Sequence, residues 1–310
     1  TVPDFIGTRY GGNLVRACAV FVLFIASFTY VTAQINATGT IASRALGIPF
    51  EAGVWVGLIS ILICSMLGGM RAVTWTQVAQ YIVLIIAYLL PVFWISSKVG
   101  GGIFPHLMLG DEVARLGELE QQFGLVKNSA ADMKAAGVPG GLKYISGPHS
   151  AVPAGGMAVW KYLSLAICMM VGTASLPHIL MRYFTTPSVK SARKSVAWSL
   201  FFIFLLYFSA PMLATLSKLQ LMDPNLATGI IGKSIAEVQS IPWVQNWASV
   251  KQVFIADFNG DGILQLNEWF MRGDVVVLAT PEVAGLPYVI SGLVAAGGMA
   301  AAMSTADGLV

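Results

Sequence analysis

The chain has 310 residues and a net charge of +3, with 56% hydrophobic and 11% charged residues. An average soluble protein carries about 25% charged residues, so lipid is the expected solvent for most of this chain. The weak, dispersed positive charge argues against a nucleic-acid partner. Cys18, Cys64 and Cys168 lie in apolar stretches without CxxC spacing, each expected as a small buried hydrophobe. His106, His149 and His178 have no metal-ligand spacing, so neither zinc nor an enzyme active site is predicted.

Apolar runs of about 17–25 residues, the length that crosses a bilayer, fall near 14–37, 53–70, 75–97, 159–181, 195–217 and 283–310. The first contains "YVTAQINATG", with Tyr30 and Gln34 at i, i+4 and Asn36 beside them. Such polar groups face protein or water rather than lipid, either bonding a neighbouring helix or lining a cavity for a small-molecule substrate. The second and third runs meet at "GGMRAVTWTQ", where Gly68 and Gly69 allow a tight turn and Arg71 anchors it. In the fourth, "MVGTASLP", Gly172 and Pro177 loosen the helix while Thr173 and Ser175 offer hydroxyls for the same cavity.

The last run carries Ala301, Ser304 and Thr305 at i, i+3 and i+4, which sets one carbonyl and two hydroxyls on one helix face. That is a partial cage for a hard cation; equally, such hydroxyls bond back to their own helix. Asp307, one turn on, is either an ion-path carboxylate or a residue reaching the inner interface.

Arg9 and Arg16 flank the first run, Arg71 sits in the link 71–74, and Arg182, Lys190, Arg193 and Lys194 crowd the link 182–194. By the positive-inside rule these face the cytoplasm. The long links 98–158 and 218–282 then form outer loops, and they hold twelve of the fifteen acids. Since the chain opens without Met and stops within an apolar run, 1–310 is expected to be one transmembrane unit cut at both ends, with no targeting segment in view.

One outer loop contains "DFNGDGILQLNE". Its oxygens fall at calcium-loop positions 1, 3, 5, 7, 9 and 12: Asp257, Asn259, Asp261, the Ile263 carbonyl, Gln265 and Glu268, with Gly262 at the sharp turn. The alternative is a hairpin with Asn-Gly and Asp-Gly turns. Residues 243–254 are the expected entering helix, no long exiting helix is expected, and a calcium ion there would clamp the loop rather than signal.

Four ordered motifs, "VPDFIGTRYG" (2–11), "GGMRAVTWTQ" (68–77), "SLPHILMRYFTTP" (175–187) and "AAAMSTADG" (300–308), resemble the sodium:solute symporter family, most closely its acetate and short-carboxylate branch. The resemblance implies an all-α multi-pass membrane protein with the inverted-repeat fold of the bacterial leucine transporter. About six transmembrane helices, core helices 3 to 8, would be present, with core helices 1, 2, 9 and 10 as partners from the rest of the chain. It implies sodium co-transport of a small organic anion such as acetate, by alternating access, across a plasma membrane (a bacterial inner membrane). Ala301, Ser304 and Thr305 match the family's helix-eight sodium ligands, and Gly297 and Gly298 would pack against helix one. Many members have an acid of the inner cation pathway where this chain has Gln77, which leaves Gln77 a candidate ion-path position; Asp307 is the candidate substitute. Two alternatives stay open: a transporter-like sensor domain of a signalling protein, and proton coupling.

Overall fold

A computed structural model describes residues 2–99, 105–124, 130–139, 143–144, 156–183 and 186–309. His149 lies outside these, and only the backbone is described for Cys64 and His178. The helices are α1 (Val2–Tyr10), α2 (Asn13–Leu46), α3 (Phe50–Val99), α4 (Leu109–Phe123), α5 (Ala130–Ala135), α6 (Gly156–Ala174), α7 (Pro177–Tyr183), α8 (Val189–Met222), α9 (Ile235–Ser240), α10 (Pro242–Ser249), α11 (Val276–Val283) and α12 (Tyr288–Leu309). The strands are β1 (Lys143–Tyr144), β2 (Val253–Ile255) and β3 (Trp269–Met271).

Among the described residues, four helical stretches are long and apolar enough to cross a membrane: Asn13–Leu46, Arg71–Val99, Val189–Met222 and Tyr288–Leu309. The second and fourth expected runs are the shorter apolar helices Phe50–Ile63 and Val159–Ala174. The architecture is that of an all-α multi-pass membrane protein. The expected turn at the glycine pair is a break inside α3, where Gly69 has φ 58 and ψ −177, a backbone open to glycine alone.

The expected link 38–52 is mostly helix. α2 runs 34 residues, about 51 Å at 1.5 Å per residue. Thr38, Gly39, Thr40 and Ser43 are buried because the first arm of α3 presses close. A Cβ on Gly57 would stand 2.2 Å from Thr38 Cγ2, and one on Gly53 2.7 Å from the Gly39 carbonyl oxygen. Small residues at such crossings let backbones approach where no hydrophobic force drives helices together.

The described parts of both long links fold together into a cap. Its antiparallel sheet has the order β1-β3-β2, with Lys143 opposite Met271 and Val253 opposite Met271 across the central strand. Leu116, Leu119, Trp247, Leu264, Trp269 and Val275 form its core with Leu219 and Met222 from the end of α8. Buried Lys218 pairs with Glu120, and Arg115 with Asp223, tying α4 to α8. The cap is fastened to α2 as well: Arg44 Nη2 donates to both oxygens of Glu282 at 3.1 and 3.2 Å. Trp247 Nε1 donates to the same carboxylate at 3.1 Å.

Cys18 and Cys168 are free and exposed rather than buried. They lie on helix faces whose natural solvent is hydrocarbon, so a small apolar thiol is at home there without protein cover.

Candidate functional site

A cavity of about 790 Å³ opens between α2, the second arm of α3, α12 and the cap. Its α2 wall carries Thr29, Gln34, Asn36 and Thr40; its α3 wall Leu84, Ala87 and Tyr88; its α12 wall Gly297, Gly298, Ala301 and Ala302. The cap closes one end with Gln252, Arg272 and Asp274. The space therefore runs from the cap to the carbonyl-bearing face of α12 at Ala301.

Of the five cavity candidates, Gln34 and Asn36 line this space and Tyr30, Thr173 and Ser175 do not. The lining stripe on α2 steps through Thr29, Ala33, Asn36 and Thr40, which leaves Tyr30 past its edge. Thr173 and Ser175 are exposed at the end of α6. The helix does break there, between Ala174 and Pro177, but the Ser175 hydroxyl donates to Gly172 O at 3.1 Å.

On α12 the Ser304 and Thr305 hydroxyls both donate to Ala301 O, at 3.1 and 3.2 Å. All three oxygens thus gather at one point of the helix, with Ala301 on the cavity wall and the two hydroxyls half-buried one turn beyond. This is the back-bonding onto the same helix that was the alternative for these hydroxyls; a hard cation placed there would meet all three oxygens once each hydroxyl turned its proton away from Ala301 O. Gly297 and Gly298 do other work than expected. A Cβ on Gly297 would stand 2.5 Å from Ala87 Cβ, and one on Gly298 2.8 Å from Leu278 Cδ2. Within this chain they seat α12 against α3, α11 and α2.

Gln77 is a strut. Its Nε2 donates to Ser304 O at 2.6 Å, and Arg182 donates to its Oε1, so α7, α3 and α12 meet at this side chain. An ionised carboxylate has no proton to donate to that carbonyl, so Gln77 does here what an acid could not. Asp307 is 3% exposed, and neither carboxylate oxygen has a partner among the described residues.

The loop 257–268 has the turn of a calcium loop but not the flanking helices. α10 ends at Ser249, and the expected helix over 243–254 gives way to β2; β3 follows the loop. Gly262 takes φ 71, and Ser234 bridges Ile263. Asp257 accepts N–H bonds from Gly260 and Gly262 at 2.7 and 3.1 Å. Asp261 accepts from Ile263 N–H at 2.7 Å, and that bond, with lesser help from Asn259 and Gln265, holds its carboxyl below the usual range. Asn259 accepts from Asp261 N–H at 3.1 Å, and fully buried Glu268 accepts from Phe258 and Gln265 at 2.9 Å each. Yet no three acids, histidines or cysteines among the described residues converge as a metal group. The loop stands on its own hydrogen bonds, and Asp257, Asp261 and Glu268 would have to draw inward to hold an ion.

Gln252, Arg272 and Asp274 were not foreseen as site residues. The sequence signal was faint: one arginine in an acid-rich segment, four residues past the loop. Only the β2–β3 pairing turns it to the cavity.

The sodium:solute symporter family model matches residues 1–229, which stops short of α12 and the calcium-like loop. Over 395 aligned residues the chain is 40% identical to an uncharacterized symporter of Cupriavidus necator, covering 100% of this chain and 56% of that protein. It is 29% identical over 214 residues to the monocarboxylic acid transporter of Corynebacterium glutamicum, covering 66% of this chain and 35% of the relative. With an uncharacterized symporter of Bacillus subtilis it shares 26% identity over 208 residues, 67% of this chain and 35% of the relative. The chain thus spans 56% of one of these curated relatives and 35% of the other two. No solved structure matches.

Proposed function

The chain belongs to the sodium:solute symporter family, and from that premise we propose that it is part of a plasma-membrane carrier, not an enzyme. In this reading sodium entry drives uptake of a small organic anion, with acetate as the simplest candidate. Alternating access carries ion and substrate together past the midplane of the inverted-repeat fold that the family resemblance implies. One observation carries the proposal: a single cavity joins the polar rim at Arg272 to the helix face at Ala301. The family and the three oxygens gathered at Ala301 O support sodium. The likeness to the monocarboxylic acid transporter of Corynebacterium glutamicum supports an organic acid.

The test is uptake of labelled acetate by the full-length protein in vesicles, with a sodium gradient and with choline in its place. Uptake that collapses with choline is the expected result. Thr305→Ala removes one cage oxygen and should raise the sodium concentration for half-maximal uptake about ten-fold, the scale of one charge-assisted bond. An unshifted sodium curve would remove Thr305 from the ligand set.

Asp307 favours one second reading, proton coupling. A buried carboxylate in a membrane-spanning helix, with neither oxygen bonded among the described residues, is the kind of intramembrane acid that marks a proton relay. A pH gradient that sustains uptake in choline, and fails to in Asp307→Asn, would select it. We also read 257–268 as a calcium clamp on the cap, supported by the oxygen register and the Gly262 turn.

A further inference from the structure

Gln252 and Arg272 face one another at the rim of the cavity. The β2–β3 register pairs Val253 with Met271, and Arg272 N–H donates to Gln252 O at 3.1 Å, one step further along. Residues directly opposite in an antiparallel pair present their side chains on the same face. Here that face is the cavity wall.

Both side chains have capacity to spare. Arg115, Lys218 and Lys233 in and beside the cap pair with Asp223, Glu120 and Glu237. Half-buried Arg272 has no acid within ion-pair distance among the described residues. It is also the one cation among the described residues lining the cavity. Gln252 is 8% exposed; its Nε2 donates to Val250 O at 3.1 Å, and its Oε1 has no partner among the described residues. A buried acceptor without a donor is costly, and reversing the amide would set its oxygen against the Val250 carbonyl.

We propose that Arg272 and Gln252 form an outer reception site for a small 2-hydroxy monocarboxylate. The guanidinium fork takes the carboxylate through two parallel N–H bonds. The Gln252 oxygen accepts the hydroxyl proton. Asp274, exposed at the same rim, repels a second carboxylate and so selects monocarboxylates over dicarboxylates. Its charge lies in water and is screened more than that of half-buried Arg272, so the rim still attracts a single anion. The proposal rests on the transport reading above and adds to it a substrate class and the residues that choose it.

The experiment is sodium-driven uptake by the full-length protein in vesicles, comparing lactate with propionate, which lacks only the hydroxyl. Arg272→Gln should raise KM for both about ten- to hundred-fold, the loss of a charge-assisted pair, with maximal rate nearly kept. Arg272→Lys should recover part of it. Gln252→Leu should raise KM for lactate about ten-fold and leave propionate alone, since one hydrogen bond separates the two. Asp274→Asn should let succinate compete. If Arg272→Gln does not fold, Arg272→Lys and the lactate-to-propionate ratio of Gln252→Leu decide the matter.

Unchanged KM in the Arg272 variants, or a fall in maximal rate alone, overturns the site and leaves sodium symport standing. Sodium-driven uptake of glucose with no uptake of lactate or propionate does the same. Uptake of no solute under a sodium gradient overturns the transport reading and this site with it.

Discussion

In the cap Trp269 and Phe270 are 0% exposed, whereas on α8 Phe201 and Phe204 stand 54% and 61% exposed. The same residue type is hidden in one region and displayed in the other because the two regions answer to different solvents. The cap faces water and must bury its aromatic rings to gain from them. The membrane helices sit in hydrocarbon, where an outward Phe loses nothing, so they spend their contacts on close backbone approach instead. Two kinds of cohesion follow: buried side chains and ion pairs in the cap, and glycine crossings between α2, α3 and α12.

This contrast can be broken at either end, and the largest effect is expected in the cap. Glu120→Ala removes the carboxylate that buried Lys218 pairs with, which should cost about 3–5 kcal/mol and open the cap to protease. Replacing both residues by Met should restore most of that stability, because the desolvation of two charges is removed together. Limited proteolysis and thermal unfolding of the detergent-solubilised protein read both outcomes.

Next comes the glycine seam. Gly297→Ala drives a methyl into Ala87 and should cost about 1–3 kcal/mol, with uptake falling alongside. Calcium at ten times its Kd should stabilise the cap by about 1.4 kcal/mol, seen as a rise in melting temperature that Asp261→Asn abolishes. A calcium-blind melting curve would retire the clamp. The smallest effect is a substitution that stabilises. A Cβ on Gly117 of α4 would meet nothing within 4 Å among the described residues, so Gly117→Ala should gain about 0.5–1 kcal/mol from helix propensity. Identical substitutions in cap and membrane thus move stability in opposite directions.

Much of the membrane part is legible by eye. Long apolar stretches mark the helices, Gly69 marks the break in α3, and the spacing of Ala301, Ser304 and Thr305 puts their oxygens together. These are local properties, set within one or two helical turns. The cap was far less legible: its segments are short, its strands have two or three residues, and no periodicity develops over such lengths. The site divides the same way. Gln34 and Asn36 could be named from polarity within an apolar run, but equally polar Thr173 and Ser175 fell on an exposed end.

By itself, then, the order of residues determined the solvent of each segment, the helical stretches and which oxygens share a face of α12. Hydropathy, glycine's freedom and the helical repeat act over neighbouring residues. What only the tertiary structure decided is which of these surfaces meet. Gln77 is held as a strut by Arg182, 105 positions away, and Arg272 is turned into the cavity by a strand across a thirteen-residue link. Contacts of that reach depend on packing of the whole chain, and no local pattern encodes them.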